Sequence, residues 1–300
     1  MKYDLNLSIV IVNWNVKDLL EQCLTSIFDH TTDLNFEVIV VDNASPDQAD
    51  LTGMMKQQFP EVKYIPNNKN LGFARANNQA IVLGQGEFVL LMNPDTELRE
   101  NSLLRMVNFM RQNEEVGISG CKILNTDHTV QPSIRKFPNL FSQILIMLKL
   151  HHFFVNISAL RNYFQKDFDY NLSQAVDQVR GAFFMMRKTM IDKVGVLDDK
   201  YWIWFEEVDY CKRAKDVSWE VWYFPTAEVF HHWGQSFQKQ ERWKKQFWFN
   251  NSLLRYFFKH QPFWQSLLIL LFYPVSLLIT LLLQLLIQNK KLAKQKVEKG

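Results

Sequence analysis

Apolar strand patterns and helix patterns alternate along the amino-terminal third of the chain. The β-branched, apolar run at residues 7–12 stops at Asn13 and is followed by apolar residues at helical spacing. Units of the same kind begin at residues 36–41 and 62–65, and a fourth apolar run covers residues 87–91. Buried strands that alternate with helices at this spacing predict βαβ units and a mostly parallel central sheet flanked by helices.

Polar loops follow the four predicted strands, at Asn13, Asp42, Asn70 and Asn93, and we expect them to meet at one edge of the sheet. None of these loops contains the GxGxxG or GxxxxGK[S/T] pattern, so a dinucleotide fingerprint or a P-loop is not supported. Asn and Asp side chains can bind a base or a ribose, but they also form turns after strands. Both interpretations stay open for Asp42 and Asn43.

The strand pattern at residues 87–91 ends in Asn93-Pro94-Asp95, which would bring a carboxylate to the edge where α/β proteins bind ligands. Mg²⁺ and Mn²⁺ take oxygen ligands and leave positions for substrate phosphates, so one or two carboxylates suffice. Asp95 is therefore a candidate ligand of a divalent metal that holds a diphosphate. A plain turn accounts equally well for these residues, because Asn, Pro and Asp all favour turns.

An acidic cluster, Glu206-Glu207-Val208-Asp209, directly follows aromatic residues. If a helix begins near Glu206, then Glu206 and Asp209 share a face and Glu207 is rotated about 100° away. A carboxylate against aromatic walls has a raised pKa, which suits a general base. Acids that interact with the dipole at the start of a helix are the alternative.

A second candidate metal ligand, His231, ends the apolar stretch at residues 227–231. Its imidazole could bind a metal already held by Asp95, although a histidine with a structural role is the alternative. The chain has no HExxH motif and no Cys/His ladder, so the sequence does not predict a structural zinc site.

Seven short motifs follow one another between residues 7 and 236: Ile11-Val12-Asn13-Trp14-Asn15, Val41-Asp42-Asn43-Ala44-Ser45, Asn70-Leu71-Gly72-Phe73-Ala74-Arg75-Ala76-Asn77-Asn78, Asn93-Pro94-Asp95, Gly181-Ala182-Phe183, Glu206-Glu207-Val208-Asp209 and His231-His232-Trp233-Gly234-Gln235-Ser236. In this order and at these spacings they resemble the family 2 glycosyltransferases with the GT-A fold, and among them the rhamnosyltransferase-like branch. The resemblance implies an α/β GT-A fold.

The resemblance also assigns site residues. Asp95 matches the metal-binding Asp of the family's DXD motif, and His231 matches its metal-facing His; the metal implied is Mg²⁺ or Mn²⁺. Asn93 replaces the first Asp of that motif and leaves one charge fewer for the metal. The implied nucleotide-sugar pocket consists of Val12, Asn13, Asp42, Asn43, Arg75, Asn78, Asn93, Gly181 and Ala182.

Glu207 matches the position of the family's catalytic base, with Asp209 as its neighbour. Because glutamate occupies both acid positions, Glu206 remains the alternative base. The implied activity is inverting, metal-dependent transfer of a sugar, with rhamnose as the candidate, from a dTDP- or UDP-sugar donor. The implied acceptor is lipid-linked or a polysaccharide in bacterial surface glycan biosynthesis.

Two other functions are compatible with such a sheet. A sugar nucleotidyltransferase would need a basic, Gly-rich loop early in the chain, and residues 12–16 do not provide one. A degenerate glycan- or lipid-binding protein would have no need to retain Asp95, Glu207 and His231 together. Glycosidases use two carboxylates but neither a metal nor nucleotide loops, so hydrolysis fits poorly.

Length and composition limit the domain organisation, the partners and the cellular compartment that the chain can have. At 300 residues the chain can hold one catalytic domain, predicted at 1–240 with an acceptor-side insertion at 137–170, and a membrane-associated helical region with a basic tail at 241–300. A plain packing element is the alternative for the insertion. The net charge is +3, and the basic residues of the predicted catalytic domain do not form a stripe interleaved with aromatic residues, so a nucleic-acid partner is not expected. Three cysteines without a CxxC motif, and no apolar leader before the first strand, favour a reducing cytoplasm.

The carboxyl-terminal region has an uncharged, apolar run at residues 263–287 that is long enough for a membrane span. Pro274 would divide this run into two halves too short to cross alone, and lysines lie on both sides of it. A straight span would leave one lysine cluster outside, against the positive-inside bias, so a re-entrant or interfacial hairpin at the cytoplasmic face of the inner membrane is the other possibility.

Overall fold

The computed structural model describes residues 4–154, 156–232 and 240–297, and the chain divides into two compact units. The first unit consists of Met1–Phe137, Phe164–Trp202 and Glu206–Gln238, and the second of Pro138–Tyr163, Ile203–Phe205 and Lys239–Gly300. Residues 138–163 of the predicted insertion thus belong to the second unit, while an acceptor role for that segment stays a prediction.

In chain order the helices and strands are β1 (Leu5–Asn13), α1 (Lys17–His30), β2 (Phe36–Asp42), α2 (Gln48–Gln58), β3 (Lys63–Pro66), α3 (Phe73–Ile81), β4 (Gly86–Met92), β5 (Thr96–Glu97), α4 (Ser102–Gln112), β6 (Val116–Leu124), α5 (Leu140–Met147), α6 (Ser158–Tyr163), β7 (Gln174–Ala175), β8 (Phe183–Arg187), α7 (Lys188–Val194), α8 (Glu206–Asp216), β9 (Glu220–His231), α9 (Arg242–His260) and α10 (Phe263–Val297).

The first unit is built on one mixed sheet, in which the described strands follow the order β3-β2-β1-β4-β8-β6-β9-β5 and β7 pairs with β9. The first four strands are parallel, as predicted, and Asn13 at the end of β1 lies opposite Asp42 at the end of β2. Strand β8 runs antiparallel to β4 and begins opposite its last residue, with Phe183 beside Met92. The polar ends of β1, β2 and β4 and the segment before β8 therefore share one edge of the sheet.

Both faces of this sheet are buried. Along β1, Leu7, Ile9 and Ile11 point into a core covered by α1, α2 and α4, while Val10 and Val12 point into the opposite core under α3, α7 and α8. Side chains alternate across a strand, so burial of both faces demands an apolar residue at nearly every position. This is why these strands appear in the sequence as continuous apolar runs.

In the second unit, α9 and α10 form an antiparallel hairpin. The Trp243 backbone N–H donates to Gln284 Oε1 (3.3 Å), and the Tyr273 hydroxyl donates to Asn251 Oδ1 (2.8 Å). Helix α10 continues through Pro274, so the expected division of the apolar run at this residue is wrong. Proline removes one helical hydrogen bond. The bonds made by Tyr273 and by Ser276, which donates to the Met147 carbonyl (3.0 Å), hold the helix on both sides of it.

Candidate active site

Asp95 is presented by a tight turn at the end of β4. The Thr96 N–H donates to the Asn93 carbonyl (3.2 Å), and Pro94 occupies the second turn position, which its fixed φ favours. The Asn93 N–H in turn donates to the Ala182 carbonyl (3.1 Å), which ties the turn to the segment before β8. The turn therefore forms as the sequence suggested, and it places the Asp95 carboxylate at the edge of the sheet.

His231 faces Asp95 across the pairing of β5 with β9. Thr96 lies opposite His231, and the His232 N–H donates to the Asp95 carbonyl (2.8 Å). As a result, His231 Nε2 lies 3.2 Å from Asp95 Oδ1, and both side chains are buried. The structure thus brings the two predicted metal ligands into contact from positions distant in sequence.

The tautomer of His231 follows from its contact with Gln131. Arg180 Nη1, which can only donate, lies 2.6 Å from Gln131 Oε1, so that atom is the amide oxygen. His231 Nδ1 lies 2.8 Å from the same oxygen and must carry a proton to donate to it. The lone pair of a neutral imidazole is then on Nε2, toward Asp95.

This arrangement fits a divalent metal. Two ligand atoms at about 2.1 Å from an ion and at right angles are about 3 Å apart, close to the separation of Asp95 Oδ1 and His231 Nε2. Within the described ranges, no group of three or more His, Cys, Asp or Glu residues is arranged to hold a metal ion. Two protein ligands match a metal that completes its coordination with substrate phosphates and water.

The predicted nucleotide loops are joined by their own side chains. Buried Asp42 accepts from Asn13 Nδ2 (2.8 Å), from the hydroxyl and the backbone N–H of Ser45 (2.6 and 3.1 Å) and from Gln48 Nε2 (2.8 Å). Four bonds fill a carboxylate, so its side chain organises the turn. Asn13 Oδ1 is buried and, among the described residues, has no hydrogen-bond partner. An acceptor of this kind could receive the N–H of a bound base.

The neighbouring positions hold other loops in place. Asn43 Nδ2 donates to Asn70 Oδ1 (3.0 Å), and Asn43 Oδ1 accepts from the Leu71 N–H (2.9 Å). On α3, Asn78 exchanges two hydrogen bonds with the backbone of Leu197, at 2.8 and 3.0 Å.

Arg75 is exposed and lies 3.6 Å from Asp199. Val12 is the last apolar position before Asn13, and Gly181 has nothing within 4 Å of the place where a Cβ would stand. A nucleotide role for these positions stays a prediction.

Helix α8 begins at Glu206, so the condition under which Glu206 and Asp209 share a helix face is met. Trp204 and Phe205 directly before it have φ angles of +63° and +67°, a left-handed backbone that costs bulky residues about 1–3 kcal/mol each. Strained residues of this kind cluster at functional sites, and here they directly precede Glu206 and Glu207. Asp209 is fully buried and accepts from Arg213 Nε (2.9 Å), so it stabilises the helix turn.

The two glutamates differ in exposure. Glu206 is buried and Glu207 is half-buried, and in the described part of the chain Oε2 of each has no hydrogen-bond partner. Burial raises the pKa of Glu206 well above its ordinary value, and the neighbouring charge of Glu207 raises it further. Burial also raises the pKa of Glu207, but the cations Arg135 and Arg180 partly oppose this. Glu207 is therefore the more accessible and the more readily ionised of the two.

Two residues of this region escaped the sequence prediction, Gln131 and Arg180. Arg180 is half-buried, and its pKa falls to about 10, first through burial and then through Arg135, while Glu207 and Asp95 act in the opposite direction. It remains a cation at neutral pH. A charge beside Gly181, just before a buried strand, was a usable signal for Arg180, whereas nothing in the local pattern marks Gln131.

The sheet, the Asp95–His231 pair and the acidic start of α8 together define a glycosyltransferase of the GT-A fold. The glycosyl transferase family 2 model matches residues 8–195, and the chain belongs to that family. The motif residues Trp233-Gly234-Gln235-Ser236 lie outside the described residues.

Rhamnosyltransferases are among the similar proteins. The N-acetylglucosaminyl-diphospho-decaprenol L-rhamnosyltransferase of Mycobacterium tuberculosis is 27% identical over 237 residues, which cover 75% of this chain and 76% of the relative. Rhamnosyltransferase WbbL of Escherichia coli K12 is 24% identical, covering 78% of this chain and 88% of the relative. The mannosyltransferase PcManGT of Pyrobaculum calidifontis, solved with GDP-Man and Mn²⁺, superposes with a TM-score of 0.57 at 14% identity over 93% of this chain and 76% of its own.

Proposed function

We propose that the protein moves a sugar, with rhamnose as the first candidate, from a dTDP- or UDP-sugar to a lipid-linked or polysaccharide acceptor in bacterial surface glycan assembly. The central observation is the buried Asp95–His231 pair, whose Oδ1 and Nε2 atoms lie 3.2 Å apart at the edge of the sheet. Both Asp95 and the candidate base Glu207 act electrostatically on Arg180. Two of the relatives are named as rhamnosyltransferases, which supports rhamnose as the sugar. The name of one of them includes a diphospho-decaprenol lipid, which supports a lipid-linked acceptor. Family membership favours transfer over the nucleotidyltransferase and degenerate-protein alternatives.

Asp95 Oδ1 and His231 Nε2 would hold a Mg²⁺ or Mn²⁺ ion. When bound, such an ion supplies positive charge to the departing diphosphate. Gln131 keeps His231 in the tautomer that presents a lone pair, and the turn at Asn93 keeps Asp95 at the edge of the sheet. The chain's own role here is to hold these two ligand atoms in place before the donor arrives.

Glu207 would act as the general base. Its carboxylate takes the proton of the acceptor hydroxyl, the hydroxyl oxygen forms a bond to the anomeric carbon, and the bond from that carbon to the phosphate oxygen breaks. The electron pair of the broken bond leaves with the diphosphate. Attack opposite to the leaving group inverts the anomeric centre. Burial favours the neutral form of Glu207, which makes it a stronger base than an exposed glutamate.

The donor's nucleotide would bind at the Val12, Asn13, Asp42 and Asn43 loops, with Asn13 Oδ1 available to accept a base N–H. Asp42 and Asn43 would shape this pocket through their bonds within and between the loops. The open space at Gly181 would let the donor's diphosphate approach the backbone.

The proposed function is tested with a panel of nucleotide sugars. We expect dTDP-rhamnose or a UDP-sugar to be cleaved slowly in the presence of Mn²⁺ and faster when a polyprenyl-diphosphate-linked N-acetylglucosamine acceptor is added. Release of the nucleoside diphosphate is the measurement, with the Glu207→Gln protein as the control for contaminating hydrolases. If no donor in the panel is cleaved with or without acceptor, the proposed function is wrong.

We also propose that α10 attaches the protein to the cytoplasmic face of the inner membrane. Residues Phe263–Gln288 have a mean hydropathy of 2.5 in their most apolar window, and only 22% of that window is buried. Leucines on this helix, such as Leu271, Leu278 and Leu282, are exposed, and contact of their apolar surface with water is energetically unfavourable. The three cysteines are free, buried thiols, as is usual in a reducing compartment.

Replacing Leu271, Leu278 and Leu282 by Asp should release the protein from liposomes, because three charges would have to enter the apolar layer. Flotation with anionic vesicles measures this, and bound protein should fall at least about tenfold. The matched control replaces three exposed aliphatic residues of the first unit, Val82, Leu83 and Val217, by Asp and should float like the unchanged protein. Equal flotation of both triple variants would exclude α10 as the anchor.

A further inference from the structure

A cation stands at the same edge of the sheet as the candidate metal ligands. Arg180 precedes Gly181 and Ala182, and the Ala182 carbonyl accepts both the Asn93 N–H (3.1 Å) and the Thr96 hydroxyl (3.4 Å). The backbone that leads to Arg180 is thus fixed to the turn that presents Asp95. Beside it, a Cβ at Gly181 would meet no atom within 4 Å, so there is room for a ligand.

One amide oxygen orients both Arg180 and His231. Gln131 Oε1 accepts from Arg180 Nη1 at 2.6 Å and from His231 Nδ1 at 2.8 Å, while Gln131 Nε2 donates to Asn125 Oδ1 at 2.8 Å. Because both donors contact the same oxygen, the guanidinium and the imidazole are necessarily neighbours. Gln131 therefore sets the position of the cation and of the metal ligand together.

Arg180 interacts electrostatically with the candidate groups at both ends of the proposed reaction. Asp95, at the metal end, and Glu207, at the acceptor end, both act on its charge, and burial together with Arg135 makes that charge costly in the free protein. An anion that arrives between them would relieve this cost. In the proposed reaction the sugar–phosphate bond would lie between the metal and the base, and the phosphate at that bond is the β-phosphate of the donor.

We propose that Arg180 binds the β-phosphate of the nucleoside-diphosphate sugar and that Gln131 is the positioning residue that aligns Arg180 with His231. This inference rests on the proposed function. As the bond between the anomeric carbon and the phosphate oxygen breaks, negative charge grows on the β-phosphate, and the planar guanidinium can donate two hydrogen bonds to it. Asn93 stands where the DXD motif has its first Asp, so Asp95 is the one carboxylate of that motif that faces the positive charges of the metal and of Arg180.

The test compares nucleoside diphosphates with monophosphates. Calorimetry with UDP against UMP, and dTDP against dTMP, is run on the full-length protein in Mn²⁺ and again in excess chelator. We expect Arg180→Gln to weaken diphosphate binding by about 10- to 100-fold and to change monophosphate binding less than about twofold. The loss should persist in chelator, because Arg180 acts on the phosphate directly. Arg180→Lys should recover part of the affinity for the diphosphate, since lysine keeps the positive charge but lacks the planar pair of N–H donors of a guanidinium.

Arg187 provides the matched control, since it lies at the other end of β8 and donates to the carbonyls of Asn113 (2.9 Å) and Val116 (3.0 Å). Arg187→Gln should lower the melting temperature without changing the ratio of diphosphate to monophosphate affinity. If folded Arg180→Gln, or folded Arg180→Lys where the first does not fold, keeps the wild-type ratio, the inference is overturned. Wild-type transfer activity would then still support the proposed function. A wild-type protein that binds no nucleoside diphosphate would instead refute the proposed function.

Discussion

Replacing Glu207 by Gln is expected to lower turnover by about 10²- to 10⁴-fold and to leave donor affinity nearly unchanged. The amide keeps the shape of the side chain but cannot take the proton of the acceptor hydroxyl. Initial rates and calorimetric donor binding, measured on the same preparation, separate the two effects. Because burial raises the pKa of Glu207, kcat/KM of the unchanged protein should fall as the pH drops through a value above the ordinary glutamate range. That acid limb should be absent from the residual activity of the variant.

Glu206→Gln is the control for this prediction, since it changes the neighbouring, more buried acid in the same way. Its loss of activity should be much smaller, because burial and the neighbouring charge of Glu207 raise the pKa of Glu206 and keep it the less readily ionised acid of the pair. A dead Glu206→Gln protein beside an active Glu207→Gln protein would show that the base is Glu206 and that the matching of the acidic pair to the family motif is off by one residue.

Asp95→Ala is expected to reduce turnover by about 10²- to 10⁴-fold, because a bound divalent ion supplies several kcal/mol of charge stabilisation to a departing diphosphate. His231→Ala should have a loss of the same kind, since the two side chains would share one ion. Excess chelator should abolish the activity of the unchanged protein, and added Mn²⁺ should restore it. Initial rates at a fixed donor concentration measure each effect.

Asp50→Ala, which removes an exposed acid on α2, is the control for the Asp95 variant and should retain full activity. Full activity of the unchanged protein in excess chelator would rule out the metal role of Asp95 and His231, whatever the variants do.

The sequence predicted the parts of the fold that depend on local pattern. Strands β1, β2 and β4 could be predicted from their apolar runs because they are buried on both faces, whereas β3 at the edge of the sheet is only partly buried. The polar residues that end these parallel strands necessarily share one edge of the sheet. Helix α8 does begin at Glu206, which is the case considered for the acidic cluster. The proximity of Asp95 and His231 followed from the family motifs, since no local signal pairs β5 with β9.

Other features depend on tertiary contacts that no local pattern specifies. Gln131 reaches His231 and Arg180 only because the segment after β6 folds back, with Val130 paired to Leu124. The hydrogen bonds that Asp42 accepts depend on Ser45 in the following turn and on Gln48 at the start of α2. The continuity of α10 through Pro274 depends on neighbouring helices, since a proline alone predicts a break.

The long sequence separation of the candidate metal ligands affects the stage of synthesis at which the site can form. His231 contacts Asn93 from 138 positions along the chain and Gln131 from 100, so three distant segments must meet before either candidate ligand has its partner. Contacts of such long range form late, after the local units. A nascent chain of which only the first four strands have left the ribosome already contains Asp95 but still lacks His231. The growing polypeptide should therefore remain without transferase activity until β9 has left the ribosome and joined the sheet.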